Sequence, residues 1–290
     1  MPRYALTIAY DGTEFHGWQK QFATPGQLSG TGFAGRTLDP DDGDDRRVLR
    51  TVQHVVERAV RRVVREPITL LGSSRTDSGV HALAQVAAFT RSSETTGPAD
   101  DRLADAINAG LPDDVIVTHT RRVPDAFDPI ADCARKGYRY TLAAGRPRPL
   151  WARRVAHHLT MPLDLAPMHD VAAELVGTHD FAAFTNVGSE RESTVRTVER
   201  CGVTEEGGLI RIDVTGDGFL YNMVRIIAGT LAEAGKGRLG VERVREALRT
   251  GDRRLAGPTL GPEGLRLEWM EHRVGGETVR SPEPGSPRLR

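Results

Sequence analysis

The sequence predicts an α+β fold in which a mainly antiparallel sheet is flanked by helices, organised as two similar halves. Two patterns lead to this prediction. Segments with alternating apolar residues, typical of half-buried strands, are interleaved with segments whose apolar residues recur every three or four positions, as in amphipathic helices. Strand-like segments also follow one another along the chain, which favours antiparallel hairpins. We place the N-terminal half at residues 1–110 and the C-terminal half at residues 111–274.

The clearest element of the N-terminal half is a helix at residues 51–65. Its valines recur at helical spacing, most of its arginines fall elsewhere around the helix, and Pro67 ends it. The predicted elements of this half are strand 4–10, helix 51–65, strands 68–72 and 83–90, and a short helix 100–109.

The C-terminal half has a similar organisation but contains no exact internal repeat. A helix near residues 165–176 ends at Gly177, a residue type common just beyond a helix. The predicted elements of this half are extended segments at 114–120, 137–143, 194–203 and 208–215, and helices at 165–176, 219–234 and 241–249.

Two segments lack any apolar period. Residues 22–48 are rich in Gly, Thr and Asp, and residues 275–290 are rich in Pro, Gly and Ser. Chain of this composition cannot bury enough apolar surface to order itself. We therefore expect a disordered insertion at 22–48 and a disordered tail at 275–290.

Charge and cysteine content narrow the function classes. Lys+Arg and Asp+Glu both number 39, so the chain lacks the net positive charge of many nucleic-acid-binding proteins. The arginines are nevertheless clustered, at Arg58, Arg61, Arg62 and Arg65 and again at Arg146, Arg148, Arg153 and Arg154.

The 2 cysteines, Cys133 and Cys201, lie far apart, so we expect no disulfide framework and no metal site. The sequence has no apolar run long enough for a membrane span, no signal-peptide pattern, and no phosphate-binding or dinucleotide-binding glycine motif, so we expect a cytoplasmic protein without a nucleotide cofactor.

The most informative stretch is 72–89, which is typical of a strand, a polar turn and a second strand. The turn brings Arg75, Asp77 and His81 close together. Asp77 could serve chemistry there, or it could simply brace the turn through its own backbone, as Asp often does.

Residues 75–82, Arg-Thr-Asp-Ser-Gly-Val-His-Ala, resemble the catalytic loop of the tRNA pseudouridine synthase A (TruA) family, whose usual form is G-R-T-D-x-G-V-H-A. Ser74 stands where the family most often has Gly. Further blocks resemble the family in the family's order, at residues 10–21, 51–53, 138–140, 177–184, 195–197, 218–231, 256–259 and 264–265.

The resemblance implies a pseudouridine synthase fold with a central cleft and an isomerase that converts uridine to pseudouridine. By residue, it implies that Asp77 is the essential carboxylate, that Tyr138 packs on the target base and handles the C5 proton, and that Arg225 is the counter-charge of Asp77. Two of these roles have a simpler explanation: Arg225 could extend to the surface, and Tyr138 could be an ordinary strand tyrosine.

For RNA binding, the resemblance implies that Arg75 occupies the space of a flipped-out base. We also expect RNA contacts from Gln19, Gln21, His81, Arg58 and Arg62, although the two helix arginines could instead form a merely solvated face. The implied substrate is tRNA, in the anticodon stem-loop at tRNA positions 38–40, and the implied assembly is a homodimer without cofactor or metal.

The chain departs from the family at two places. Ile130 stands where the family usually has Arg, and residues 22–50 replace a connection of a few residues. These departures leave room for a different RNA substrate. The sequence is also compatible with a non-catalytic RNA-binding protein of the same fold, or with an unrelated hydrolase that uses Asp77 and His81 as an acid–base pair.

Overall fold

The computed structural model describes residues 1–22, 38–41, 44–92, 97–186 and 193–281. The chain forms two compact units. Unit 1 comprises Met1–Ala134 and Trp269–Arg290, and unit 2 comprises Arg135–Glu268. The prediction of a many-stranded, mainly antiparallel sheet flanked by helices is confirmed, with one parallel strand pair in unit 2.

Unit 1 is built on a sheet in which β1 pairs antiparallel with both β5 and β6. The elements of this unit are β1 (Arg3–Tyr10), β2 (Leu38–Asp41), β3 (Asp44–Leu49), α1 (Val52–Val64), β4 (Leu71–Gly72), β5 (His81–Thr90), α2 (Leu103–Asn108), β6 (Val115–Val123) and β13 (Glu277–Ser281). Strand β12 (Leu265–Val274) has residues in both units, and its part in unit 1 pairs with β13.

Helix α1 forms where the apolar period predicted it. Val52, Val56, Val60 and Val64 follow one another at four-residue spacing, and all four are fully buried. Thr51 caps the start, because its side chain accepts a hydrogen bond from the backbone N–H of His54. The cap therefore fixes the chain just before α1, close to the segment 10–18 on which the candidate site depends.

In unit 2 the strands follow the order β7–β11–β10–β9, with each of these neighbours antiparallel and β8 parallel to β7. Its elements are β7 (Cys133–Ala144), β8 (His157–Leu159), α3 (Leu165–Glu174), β9 (Gly177–Asp180), β10 (Val195–Glu206), β11 (Leu209–Gly216), α4 (Met223–Gly235) and α5 (Val241–Thr250). Helix α3 packs on α4, α5 and β10. Almost every residue of α4 is buried, which makes Arg225, near its start, conspicuous.

The compact units do not follow the predicted boundary at residue 110. Strand β6 pairs with β1 along its length, so residues 111–134 belong to unit 1. The chain later returns to unit 1 at Trp269, because β12 pairs there with β13. Unit 1 is thus formed by two segments that lie far apart in the sequence.

Parts of the segments predicted to be disordered are strands. Within 22–48, residues 38–41 and 44–48 belong to the antiparallel pair β2–β3, and Phe22 forms a bridge with Val48. In the predicted tail, residues 277–281 pair with β12, because an exposed strand edge can order chain of weak intrinsic preference. Residues 23–37, 42–43 and 282–290 lie outside the described residues. No helix among the described residues is long and apolar enough to cross a membrane.

Candidate active site

Asp77 lies in the loop 73–80, which joins β4 to β5 in unit 1. Its side chain is half-buried, and the neighbouring Arg75 is exposed. The first support of this loop comes from Gln85, a fully buried polar residue of β5. Its Oε1 accepts a hydrogen bond from the Ser74 N–H at 3.1 Å, and its Nε2 donates to the Ser74 carbonyl. One side chain thus satisfies both backbone groups of a buried residue three positions before Asp77.

A second support comes from the segment 10–18, which begins at the last residue of β1. The Tyr10 hydroxyl and Thr76 Oγ1 are hydrogen-bonded at 2.8 Å, and the Trp18 N–H donates to the Thr76 carbonyl at 3.0 Å. Beyond Asp77, Ser78 Oγ donates to the Phe15 carbonyl at 3.2 Å. The residues on both sides of Asp77 are therefore held by one distant segment.

Gly17 makes this close approach possible. Its φ is +87°, a conformation that residues with a side chain rarely adopt, and a Cβ there would lie 2.7 Å from the Thr76 carbonyl oxygen. A larger residue would push the segment 10–18 away from the loop that carries Asp77.

His81 closes the far end of the loop, where it is buried. Its Nδ1 lies 3.1 Å from the backbone nitrogen of Gly12 and 3.1 Å from Asp11 Oδ1. A bare Nδ1 accepts from the Gly12 N–H, whereas an Nδ1 that carries hydrogen donates to Asp11, so the tautomer of the ring selects between the two contacts. His81 Nε2 is buried and, among the described residues, has no hydrogen-bond partner.

The Asp11 carboxylate is held in its charged form. The hydrogen bond with His81 lowers its pKa most, burial opposes the shift, and hydrogen bonds from the Thr13 N–H and hydroxyl lower the pKa further. The pKa of Asp11 is therefore well below its ordinary value.

In unit 2, Tyr138 is a buried residue of β7, opposite Val214 of β11. Its ring meets that of Phe219 edge to face, with centroids 5.3 Å apart. This packing fixes the direction of the tyrosine ring.

Arg225 lies in the first turn of α4 and is half-buried. Its Nε donates to the Leu260 carbonyl at 2.8 Å, and its Nη1 donates to Asn222 Oδ1 at 2.6 Å. Asn222, the residue before the helix, has a left-handed backbone with φ of 61°. The guanidinium is thus anchored at two of its nitrogens rather than extended freely into solvent.

The residues predicted to contact RNA differ in exposure. Gln19, Gln21, Arg75 and Arg62 are exposed, Arg58 is half-buried and His81 is buried. Arg58 and Arg62 line a cavity of about 390 Å³ together with Arg50, between α1 and the turn that follows α2. This cavity has a positive wall, although Arg50 is paired with Asp114 at 2.8 Å.

Arg75 and Asp77 lie in the loop 73–80 and His81 is the first residue of β5, whereas Tyr138 and Arg225 belong to unit 2. A common site for Asp77, Tyr138 and Arg225 stays a prediction. Sequence reasoning missed the supporting residues Tyr10, Asp11 and Gln85. The available signal was Gln85 itself, since it is the only polar residue in the apolar run 82–89.

In the described part of the chain, no group of three or more His, Cys, Asp or Glu residues could hold a metal ion. The expectation that the reaction needs no metal stays a prediction.

Comparison with known proteins adds independent information. The family model described as tRNA pseudouridine synthase matches residues 171–271. The protein "tRNA pseudouridine synthase A" of Thermoanaerobacter sp. (strain X514) is 37% identical over 267 residues, which is 92% of this chain and 98% of that protein. The proteins of the same name from Acetivibrio thermocellus and Neisseria gonorrhoeae are 36% and 35% identical, over 92% and 93% of this chain and 98% and 92% of their own lengths.

Among solved structures, "Crystal Structure of a Cbf5-Nop10-Gar1 Complex" matches with a TM-score of 0.31 and 12% identity, over 90% of this chain and 56% of that one. That similarity is too low to carry an argument. The sequence relatives are different, because more than a third of their residues are identical over nearly their whole length. On that evidence the chain belongs to the tRNA pseudouridine synthase A family.

Proposed function

We propose that this chain isomerises uridine to pseudouridine in tRNA, within the anticodon stem-loop at tRNA positions 38–40, and that Asp77 is the essential carboxylate. The observation that carries the proposal is the environment of Asp77. Asp77 is half-buried, and the residues before and after it are held by hydrogen bonds with Gln85, Tyr10 and Phe15, in a chain of this family. A loop that merely turned the chain would not need such support on each side of one acid.

The reaction is an internal rearrangement. The C1′–N1 glycosidic bond of uridine breaks, the uracil turns, and a C1′–C5 bond forms. N1 gains a proton and C5 loses one, so atoms and electrons balance without an oxidant, a reductant or a phosphate donor. A fixed carboxylate can act as nucleophile, as base or as electrostatic partner of the sugar while the base is detached.

The two unit 2 residues have complementary roles in this proposal. Arg225 supplies the positive charge that keeps Asp77 ionised, because an unpaired carboxylate in a closed site takes up a proton. Tyr138 packs on the uracil and handles the C5 proton. The anchoring of Arg225 by Leu260 and Asn222 supports the first role, since it keeps the guanidinium in one place.

RNA contacts in this proposal come mainly from exposed residues. Arg75 occupies the space left by the flipped-out uridine, and Gln19 and Gln21 contact the RNA beside it. Arg58 and Arg62 bind a backbone phosphate at the mouth of their cavity. We assign His81 to RNA binding only indirectly, because its burial suits holding the loop between Gly12 and Asp11.

At the level of the whole molecule, we propose two similar halves that face a central cleft, and a homodimer. The family membership supports both. Sedimentation of the purified protein tests the second, and a monomer at micromolar concentration would contradict it.

The experiment that tests the function compares wild type with Asp77→Asn on in vitro-transcribed tRNA, with pseudouridine mapped by carbodiimide chemistry. We expect kcat/KM to fall at least about 1,000-fold, equivalent to roughly 4 kcal/mol of transition-state stabilisation. Asp101→Asn is the matched control, because Asp101 is an exposed carboxylate of the same unit.

Substantial activity in Asp77→Asn would refute the role of this residue. No pseudouridine from wild type in any tRNA would favour a non-catalytic RNA-binding protein or a different RNA substrate. Product at sites other than positions 38–40 would refute only the proposed position.

A further inference from the structure

The segment of residues 145–155 connects β7 to β8 in unit 2, and we call it the Arg–Trp segment. It carries four arginines, Arg146, Arg148, Arg153 and Arg154, and one tryptophan, Trp151. All five side chains are exposed. Nothing in the proposed function uses them.

Trp151 is 92% exposed, and the adjacent Leu150 is 54% exposed. Tryptophan is rarely left open to water, because its side chain carries a large apolar area. The other two tryptophans follow that rule. Trp18 is 2% exposed, and Trp269 is covered by the guanidinium of Arg280 at 3.8 Å from its ring. The exposure of Trp151 therefore points to something outside the chain that covers it.

The charges of the segment are also uncompensated. Among the described residues, none of the four arginines contacts a carboxylate, and the one hydrogen bond in which they take part runs from Arg153 Nη1 to the Leu150 carbonyl. Residues 133–163 contain no Asp or Glu. On α5 of the same unit, by contrast, Arg245 is paired with Glu174 and Glu242, and Arg249 with Glu246.

The backbone of the segment is held at its base. The Gly145 N–H donates to the Leu159 carbonyl at 2.8 Å, and His158 Nε2 contacts the Gly145 carbonyl at 2.8 Å. Near the tip, the Val155 N–H donates to the Ala152 carbonyl at 2.9 Å. These bonds present Trp151 on a formed loop, so a partner has less conformational entropy to remove on binding.

We propose that the Arg–Trp segment is a docking surface for tRNA, in which Trp151 stacks on an unpaired base and the arginines contact the phosphates on either side. The inference rests on the proposed function, since it takes tRNA as the partner. A flat aromatic face among guanidinium groups matches single-stranded RNA, whose bases can leave the stack while the backbone stays charged.

A second copy of this chain suits the surface less well. If the segment lay on the axis of a two-fold symmetric interface, it would meet its own copy, and four arginines would face four arginines without a carboxylate between them. Like charges in such positions repel, whereas a polyanion satisfies all of them at once. The charge distribution therefore favours RNA over self-association.

The first experiment measures equilibrium binding of a fluorescent tRNA to the full-length protein, which requires no turnover. We expect Trp151→Ala to weaken binding roughly 5- to 150-fold, the range that corresponds to about 1–3 kcal/mol for one base–aromatic stack. Trp151→Phe should retain most of the affinity, since it keeps an aromatic face. Val176→Ala, an exposed apolar residue of the same unit, is the control and should bind as wild type does.

The second experiment measures how binding depends on salt. Arg153→Gln/Arg154→Gln should reduce the slope of log K against log salt by roughly 0.7 to 0.9 for each phosphate contact that is lost. Arg245→Gln/Arg249→Gln removes the same charge from the same unit, at arginines already paired with glutamates, and should leave the slope close to that of wild type.

Equal binding by wild type, Trp151→Ala and Val176→Ala would overturn the inference. A second result would also overturn it: Trp151→Ala dissociates a dimer in sedimentation but binds tRNA as tightly as wild type does. The segment would then be a protein interface. If wild type makes no pseudouridine but Trp151→Ala still weakens tRNA binding, the proposed function fails and the docking surface stands.

Discussion

The loop 73–80 of unit 1 and the Arg–Trp segment of unit 2 are both polar connections between strands, but they are built in opposite ways. The loop around Asp77 is held by side chains from β5 and from the segment 10–18, and its neighbours Ser74 and Thr76 are buried. The Arg–Trp segment keeps its backbone closed while its functional side chains extend into solvent. The difference is the one that the two proposed tasks require. Bond rearrangement needs a carboxylate in one position, whereas capture of a polyanion needs accessible charge and an open aromatic face.

The largest effect should come from breaking the support of the Asp77 loop. Gln85→Ala leaves the Ser74 N–H and carbonyl buried without their partner, at a cost of about 1–3 kcal/mol for each group. We expect a lower free energy of unfolding and a fall in kcat larger than any change in KM for tRNA. Denaturant titration and steady-state kinetics measure the two effects.

Gln85→Glu is the matched comparison for that experiment. It keeps the size of the side chain, but its carboxylate would face the Ser74 carbonyl at a fully buried position, so at pH 7 it should be at least as unstable as Gln85→Ala. At low pH it should gain stability relative to Gln85→Ala, because a protonated carboxyl can donate to that carbonyl. If Gln85→Ala were as stable and active as wild type, the loop would not depend on this clamp, and the contrast with the Arg–Trp segment would be lost.

An intermediate effect, dependent on pH, should arise at Asp11. The folded-state pKa of this carboxylate is lower than its unfolded value of about 3.9, because His81 and Thr13 hydrogen-bond the charged form. A lowered folded pKa adds stability above pH 4, and this contribution is lost as the pH falls below that value. We expect wild type to have a higher Tm than Asp11→Asn at pH 7, and the difference to shrink below about pH 4.

Thermal unfolding of both proteins between pH 3 and 7 measures this difference. Asp125→Asn, an exposed carboxylate paired with the chain's N-terminus, is the control, and its difference from wild type should be small throughout. A gap between wild type and Asp11→Asn that stays constant over the whole pH range would show that the Asp11 carboxylate does not hold the loop through its charge.

The smallest effect on tRNA affinity is expected when the arginines of α5 lose the glutamates with which they are paired. Glu174→Gln/Glu242→Gln/Glu246→Gln leaves Arg245 and Arg249 without their carboxylates and so copies the unpaired charge of the Arg–Trp segment, but without an exposed aromatic residue. Because solvent-exposed ion pairs are weak, we expect little change in Tm and less than about a threefold gain in tRNA affinity at physiological salt. A gain comparable to the loss in Trp151→Ala would mean that unpaired arginine alone is sufficient for binding.

Much of the secondary structure was predictable, because it depends on neighbours in the chain. The valine period of 51–65 becomes α1, the apolar run 83–90 becomes β5, and the extended segments 194–203 and 208–215 become β10 and β11. Strand β12 at Leu265–Val274 was not predicted, and neither was β13. The start of β12 does carry an alternating pattern, at Leu265, Leu267 and Trp269, whereas β13 has no strong local pattern and depends on its pairing with β12.

The same distinction applies to the candidate site. The motif around Asp77 was visible in the sequence, because the turn needs only adjacent residues. The bond from Tyr10 to Thr76 joins positions 66 apart, and the bond from Ser73 to His272 joins positions 199 apart. The spacing of apolar residues along the chain carries no information about such distant contacts. The residues that hold the loop could therefore not be identified from the sequence pattern.

The sequence by itself determined which chemistry is available: one motif with a candidate carboxylate, arginines in two clusters, and the apolar periods of the helices and strands. Only the tertiary structure decided which polar residues are buried as supports and which are exposed as contacts. Gln85 and Trp151 illustrate the point, since hydropathy alone would exchange their places. The reason is physical: burial depends on what packs against a residue, and those neighbours come from distant parts of the chain.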